Sequence, residues 1–374
     1  MNDENLIERL QALQSNSQPC VSLYLNTQAE REQGPQELNL RWRSFREEIA
    51  GKVPDKALLL LDEVVDGSHR KGDGLMAFTA GEELKLRLFL NHPVPDCVAG
   101  GPLPHLLPLF DWKQDHPTYA VVVADRQGAD IHLVDGFRSE EVTQVEGEHD
   151  ELRKVSPGGW SQRRYQNRAE DSWERNAEQV AKTVDKIVEE NQVQLVLVTG
   201  DVRAVAYLKE NVAPAVATRI HELDASPPTD DDLEQIRGDI ERNVSALTGR
   251  ATELSLSKFL EERGQSDLAC EGLADTISTL RMGQVDTLFV APDGPREDVW
   301  FSLSEQTQAA VDRSTLAEIG LDDVHQGPAV DVLVRQAIAT GAAIRVIPKL
   351  GEEYGPRDGV GATLRYRADS TPPE

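Results

Sequence analysis

The stretch Tyr119-Ala-Val-Val-Val-Ala-Asp-Arg-Gln-Gly-Ala-Asp-Ile-His-Leu-Val134 decides the fold of the central part of the chain. The apolar run over residues 119–124 is typical of a buried strand, residues 125–128 are typical of a turn, and residues 129–134 predict the second strand of a hairpin. A long polar loop is expected after residue 134. Beyond it, apolar residues recur at helical spacing from Ala169 and lead into the apolar run at residues 195–198. Strands that alternate with a helix predict an α/β fold.

The segment before this hairpin predicts a separate domain. Six prolines lie between residues 93 and 117, so we expect neither a helix nor a central strand there and place a domain border near residue 112. Residues 21–25 and 84–90 alternate like half-buried strands, and a helical pattern over residues 40–61 is interrupted near Pro54. A mixed α+β domain over residues 1–112 follows.

A third domain is predicted after the central one. Pro227 and Pro228 interrupt the chain, and Thr229 with three aspartates after it predicts the start of a helix. That helix has an apolar stripe at Leu233, Ile236, Ile240, Val244 and Leu247. The pattern then predicts a helix at about residues 268–280, a strand at 285–290, a helix at 330–340 and a strand at 343–347. The predicted domains are therefore residues 1–112, 113–250 and 251–374.

Composition narrows the classes of partner and site. The chain has 374 residues, with 65 Asp and Glu against 39 Lys and Arg, and its formal charge of −26 argues against broad, sequence-independent binding to nucleic acid or anionic membrane. Its mean hydropathy of −0.45 and its acidic N-terminus argue against a membrane span or a signal peptide, so we expect a cytoplasmic protein. The cysteines lack CxxC spacing, and Asp125, Asp130 and Asp135 on the hairpin have no reason to converge. We expect neither a metal nor a cofactor.

The most informative segment is Arg153-Lys-Val-Ser-Pro-Gly-Gly-Trp-Ser-Gln-Arg-Arg-Tyr-Gln-Asn-Arg168, which holds five cations and no acid. Its two glycines favour a tight turn, its arginines suit phosphates, and its aromatic rings suit base stacking. The candidate RNA-contacting residues are Gly158, Gly159, Trp160, Ser161, Gln162, Arg163, Arg164, Tyr165 and Arg168. The alternative is an ordinary surface loop before the helix that begins near Ala169.

The same segment offers little for acid–base catalysis. It contains no His, Asp, Glu or Cys, so it has no evident general base or activated nucleophile. Catalysis there would depend on Gln162 or on backbone amides that orient water and stabilise an oxyanion.

Three motifs resemble the archaeo-eukaryotic class-I release factor and Pelota superfamily. Gly158-Gly-Trp-Ser-Gln162 precedes a long helix, as the Gly-Gly-Gln loop does in that family. Residues 272–290 and Asp358-Gly-Val-Gly-Ala-Thr-Leu-Arg-Tyr366 are similar to the C-terminal motifs of the family. The resemblance covers roughly residues 113–374 and is greatest to the bacterial branch, which includes the Balon-like ribosome hibernation factors and is related to the Vms-type peptidyl-tRNA hydrolases.

The resemblance implies a central RNase H-like α/β domain with a protruding Gly-Gly loop, and a C-terminal α/β/α sandwich like kink-turn-binding ribosomal proteins. It implies a factor of the 70S ribosomal A site that contacts rRNA and P-site tRNA, works with elongation factor Tu, and acts in hibernation or stress. The alternatives are a peptidyl-tRNA hydrolase that uses Gln162 and a regulatory protein-binding module.

Two departures from the family pattern restrict these interpretations. Trp160 stands at the place of the catalytic glutamine in an ungapped alignment, and Gln162 takes that place only after a shift of two residues. The first domain lacks the Asn-Ile-Lys-Ser and Tyr-x-Cys-x-x-x-Phe patterns that read stop codons, so we do not expect stop-codon termination.

Overall fold

The computed structural model describes residues 3–15, 17–28, 34–69, 71–125, 128–137, 141–146, 153–155, 173–223, 233–265, 268–348, 350–351 and 353–367. It confirms an α/β protein with several sheets. The chain divides into two compact units, which we call the first unit (residues 3–114 and 251–374) and the second unit (residues 115–250). The division into three domains stays a prediction. Among the described residues, no helix is long and apolar enough to cross a membrane.

The N-terminal part of the first unit is built on an antiparallel sheet with strand order β3-β2-β1-β4. Its elements are α1 (Asp3–Gln14), β1 (Cys20–Asn26), α2 (Gly34–Ile49), α3 (Asp55–Asp66), β2 (Gly74–Ala80), β3 (Glu83–Leu90), β4 (Cys97–Gly101) and α4 (Leu107–Asp115). Residues of α2 and α3, such as Trp42 and Leu61, share a buried cluster with Leu23 of β1. The two predicted strands and the helix break near Pro54 are confirmed, but only β3 is half-buried as expected, because residues 21–25 of β1 are all buried.

The prediction that the proline-rich segment holds no helix is wrong, because α4 lies within it. Pro108 is the second residue of this helix. Its missing N–H costs nothing there, since the first four N–H groups of a helix have no intrahelical partner. Strand β4 also lies in the segment and, among the described strands, pairs only with β1 at the edge of the sheet, so the expectation of no central strand holds.

The second unit contains a six-stranded sheet of order β10-β9-β5-β6-β7-β8. Its elements are β5 (Tyr119–Ala124), β6 (Gly128–Val134), β7 (Glu141–Glu146), β8 (Arg153–Val155), α5 (Trp173–Asn191), β9 (Leu195–Gly200), α6 (Val202–Asn211), α7 (Pro214–Ala217), β10 (Ile220–Glu222) and the first part of α8 (Leu233–Gln265), a helix whose residues from 251 onward belong to the first unit. Strands β5, β6, β7 and β8 pair antiparallel in sequence order. Strand β9 pairs parallel with β5, and β10 pairs parallel with β9.

The predicted hairpin is confirmed as β5 and β6, which pair from Tyr119–Val134 to Ala124–Ala129. The expected long polar loop after residue 134 is wrong in part, because β7 and β8 occupy residues 141–146 and 153–155. The predicted helix start at Ala169 and the predicted cap at Thr229 lie outside the described residues.

Helices cover both faces of this sheet. Val180 and Val184 of α5 share one buried cluster with residues of α6 and α7 and with Val122 of β5. On the opposite face, Ile236 and Ile240 of α8 pack against Val121, and Val244 and Leu247 pack against the same cluster. These contacts confirm four residues of the predicted apolar stripe, and the side chain of Leu233 lies outside the described ones. The alternation of side chains along β5 therefore separates the two cores.

The C-terminal part of the first unit has a mixed sheet of order β11-β17-β12-β16 and an antiparallel sheet of order β14-β13-β15. Its elements are β11 (Ala269–Glu271), α9 (Leu273–Arg281), β12 (Val285–Val290), β13 (Asp298–Ser302), β14 (Ala309–Ala310), α10 (Arg313–Glu318), β15 (Val324–Pro328), α11 (Ala329–Thr340), β16 (Ala343–Val346) and β17 (Val360–Leu364). The predicted helix start near residue 268 is wrong, because β11 precedes α9 and Gly272, at φ +81°, separates them.

Candidate functional site

The candidate RNA-contacting segment begins in the described part of the chain and then leaves it. Arg153, Lys154 and Val155 form β8, the edge strand of the second unit. Residues 156–172, which include all nine candidate site residues from Gly158 to Arg168, lie outside the described residues. Their roles therefore stay predictions.

Both ends of this segment are attached to the sheet. On one side, β8 pairs antiparallel with β7, and Arg153 stands opposite Gln144. On the other side, α5 begins at Trp173 and packs on the sheet through Val180, Ala181 and Val184, each at most 4% exposed. The predicted loop is thus joined at its start to an edge strand and at its end to a well-packed helix.

A tight junction forms where the parallel strands β5 and β9 end. Gly200 ends β9 with φ +128°, a conformation that L side chains rarely adopt. The amide of the next residue, Asp201, donates to the carbonyl oxygen of Ala124 at 2.9 Å. The Asp201 carboxylate then accepts from the backbone amides of Arg203 and Ala204, which caps α6.

The β5–β6 turn is held by Asp125. Its backbone amide donates to the carbonyl of Gly128 at 2.9 Å, and its carboxylate accepts from the Gly128 amide at 2.8 Å. Asp135 similarly accepts from the amide of Phe137 at 3.1 Å, and Asp130 stands opposite Val123 within the hairpin. Two of the three hairpin aspartates thus organise local backbone, and no group of three potential metal ligands occurs among the residues that the structure describes.

A small crevice lies at the same end of the sheet. The end of β5 at Ala124 and Asp125, the start of α5 at Asn176 and Ala177, and the first turns of α6 at Tyr207 line it. Its volume of about 20 Å³ is room for a water molecule. This crevice therefore suits a structural water beneath the start of α5.

The cysteines of the structure are free thiols in unreactive surroundings. Cys20 and Cys270 are buried, and burial raises the pKa of Cys20 to about 12. Burial also raises the pKa of Cys270 and of the partly exposed Cys97. Because thiolates are the nucleophilic form, none of these side chains has the environment of a catalytic cysteine.

The structure contains a polar pair, His105 and Asp331, that the sequence patterns do not predict. His105 Nδ1 lies 2.7 Å from Oδ1 of Asp331, a residue 226 positions away. Asp331 is 5% exposed, and its burial raises the pKa of its carboxyl. No local pattern could have found this pair, because neither residue belongs to a motif and their approach depends on the tertiary fold.

Comparison with known proteins finds a family similarity in the central part of the chain. Residues 118–265 match the model of bacterial archaeo-eukaryotic release factor family 2. This match covers residues 118–265 alone, and over that part of the chain it agrees with the resemblance to the release factor and Pelota superfamily that the sequence motifs indicate.

Two full-length relatives come from Mycobacterium tuberculosis. The uncharacterized protein Rv2629 of strain H37Rv and the uncharacterized protein MT2704 of strain CDC 1551 are each 29% identical to this chain over 371 residues. Each alignment covers 96% of this chain and 97% of the relative. The similarity thus extends well beyond the segment that matches the family model.

Solved structures show a more distant similarity. Archaeal Pelota, in a model of ribosome-bound Pelota and ABCE1, is 15% identical with a TM-score of 0.41, over 98% of this chain and 94% of that chain. Dom34 of S. cerevisiae is 9% identical with a TM-score of 0.40, over 99% and 95%. These scores are too low to establish the same overall arrangement.

Proposed function

We propose that this protein is a ribosome-binding translation factor that enters the A site, contacts rRNA and P-site tRNA, and acts in hibernation or stress with elongation factor Tu. The observation that carries the proposal is the position in the sequence of the acid-free, five-cation segment of residues 153–168, which begins with β8, precedes α5 and lies within the residues that match the release factor family model. The RNase H-like form of the central domain and the similarity of the C-terminal part to kink-turn-binding ribosomal proteins belong to this proposal.

Charge supports a local contact with RNA. The chain carries −26 in total, whereas residues 153–168 carry +5. Phosphates are repelled by most of such a surface and attracted at this segment, so binding depends on how the segment fits its site. Four or five phosphate contacts predict a log–log slope of affinity against salt of about −3 to −4.

Co-sedimentation with 70S ribosomes from stationary or cold-stressed cells tests this proposal. We expect the wild-type protein to pellet with ribosomes, and the double variant Arg163→Glu/Arg164→Glu to lose most of that association. Arg43→Glu/Arg250→Glu is the matched control, because both arginines are exposed and the net charge changes equally. Failure of the wild-type protein to bind with or without elongation factor Tu, or equal losses in both variants, would contradict the proposal.

A second candidate function is peptidyl-tRNA hydrolysis. It is favoured by Gln162, which follows Gly158 and Gly159 within the same segment. In this hypothesis, the glutamine orients water at the ester between peptide and tRNA, and the substrate supplies the proton transfer.

Release of nascent peptide from stalled ribosome complexes distinguishes the two functions. Hydrolysis predicts release by the wild-type protein, its loss in Gln162→Ala, and its retention in the control Gln166→Ala, which changes the same residue type four positions along. A wild-type protein that binds ribosomes and releases no peptide excludes the hydrolase and leaves the binding factor.

A further inference from the structure

Helix α4 is held at its N-terminal end by the contact between His105 and Asp331. The His105 ring precedes α4 by two residues, and Asp331 lies in the buried helix α11. The backbone of His105 is itself fixed to β1, because its amide donates to Ser22 Oγ at 2.9 Å and its carbonyl accepts from the Tyr24 hydroxyl at 2.6 Å. The ring therefore has a defined position from which to reach α11.

The C-terminal end of α4 is held by a different kind of contact. The side-chain amide of Gln114 donates to the carbonyl of Val346 at 2.9 Å and accepts from the amide of Val346 at 3.1 Å. Val346 belongs to β16, so both ends of α4 are fastened to residues of the C-terminal part of the first unit. The Gln114 contact contains no titratable group.

The charges around the His105 contact come mainly from the pair itself. Burial alone would lower the pKa of His105, but the hydrogen bond and the charge of Asp331 raise it above its usual value. Tyr24 and Cys97 also face Asp331 and are neutral near pH 7. Arg335, one turn further along α11, donates to the carbonyls of Ser302 and Leu303.

Other titratable groups on the elements packed against α11 are at least partly exposed. Among the side chains that the structure describes, they are Glu8 and Arg9 on α1, Asp275 and Arg281 on α9, Asp286 on β12, Asp298 on β13, His325 on β15 and Arg345 on β16. Because water screens exposed charges, the protonation state of His105 has the largest effect on the energy of the ionised Asp331 carboxylate.

We propose that His105 and Asp331 form a pH-sensitive latch that fastens the start of α4 to α11, while Gln114 fastens its end independently of pH. A group whose pKa is raised in the folded protein stabilises the fold when protonated. The latch is therefore closed just below the usual histidine pKa of 6.5, above the range in which Asp331 takes up a proton, and it weakens as the pH rises through the raised pKa of His105, because the buried carboxylate then loses its cation. This inference is independent of ribosome binding.

Hydrogen exchange of the α4 amides in the full chain, from about pH 6 to about pH 8.5, tests the latch. After correction for intrinsic exchange, we expect opening of α4 in the wild-type protein to increase several-fold with pH. Asp331→Asn should remove this increase. Gln114→Ala is the matched control, and it should open α4 more at every pH while it retains the increase.

His105→Gln provides a second variant if Asp331→Asn fails to fold. It retains a hydrogen-bonding side chain without a titration in this range, so it should also remove the pH-dependent increase. A wild-type α4 whose opening is constant with pH, or a neutral variant at either position that keeps the wild-type increase, would overturn the proposal.

Discussion

A Cβ atom on Gly200 would lie 1.9 Å from the carbonyl oxygen of Ala124, far inside any van der Waals contact. The two residues stand opposite each other at the ends of the parallel strands β9 and β5. The same oxygen accepts a hydrogen bond from the Asp201 amide, so the two strands cannot move apart to make room for a Cβ atom without loss of that hydrogen bond. The junction from which α6 starts therefore requires glycine.

Gly200→Ala should destabilise the second unit by about 3 kcal/mol or more, because steric overlap adds to strain at a positive φ. Urea unfolding followed by circular dichroism measures the change. Gly249→Ala is the control, since Gly249 lies inside α8 with open space where an alanine Cβ would project, and it should stabilise by about 0.5–1 kcal/mol. A Gly200→Ala protein within about 0.5 kcal/mol of wild type would contradict this account.

Removal of the α6 cap should have a smaller effect. Asp201→Ala leaves the amides of Arg203 and Ala204 without their side-chain acceptor, which should cost about 1 kcal/mol. Asp201→Asn keeps an acceptor oxygen and should lose only a few tenths of a kcal/mol, about the difference between good caps. Equal losses in the two variants, measured by urea unfolding, would show that charge and not capping is responsible.

Arg335 is 1% exposed and supplies donors to two backbone carbonyls, those of Ser302 and Leu303. Burial lowers its pKa to about 10, which is still high enough for a full charge at neutral pH. Arg335→Met should destabilise the first unit by about 2–3 kcal/mol because both carbonyls lose their donors. Arg250→Met, at an exposed position, should change stability by less than about 0.5 kcal/mol. A neutral or stabilising Arg335→Met would show that the cost of burying the guanidinium outweighs its hydrogen bonds.

The thiols should differ in reactivity toward a maleimide at about pH 8. Cys20 and Cys270 are buried with raised pKa values, so we expect no modification of either thiol in the folded protein. Cys97 is partly exposed and should react slowly, and mass spectrometry of peptides identifies the modified site. Modification of Cys20 before Cys97 would contradict the burial described above.

Local patterns predict the elements with strong periodicity. The β5–β6 hairpin, the stripe of α8 at Ile236 and Ile240, and the helix α11 all follow from the spacing of apolar residues. Helix α4 is not predicted, because the density of prolines argues against a helix. A helix tolerates Pro108 in its first turn, and the composition of the segment does not show that the proline lies there. The apolar pattern from residue 268 predicts a helix where β11 lies. The break between β11 and α9 occurs at Gly272, whose positive φ depends on the fold and is not visible in the spacing of apolar residues.

The segment of residues 153–168 and the contact between His105 and Asp331 differ in how much of each can be predicted from the sequence. The segment of residues 153–168 is recognisable from its cations and glycines, which are contiguous in the chain. The contact between His105 and Asp331 depends on the packing of α11 against residues more than two hundred positions away, and no periodicity encodes it. Contiguous charge is visible in a sequence, whereas a pair made by tertiary packing needs the structure.

A cryo-EM map of the protein bound to 70S ribosomes from stressed cells tests the central claim most directly. We expect the protein in the A site, with residues 156–168 directed toward the 3′ end of the P-site tRNA and with Arg163 and Arg164 on RNA phosphates. Binding outside the A site, or a map in which residues 156–168 contact no RNA, would contradict it.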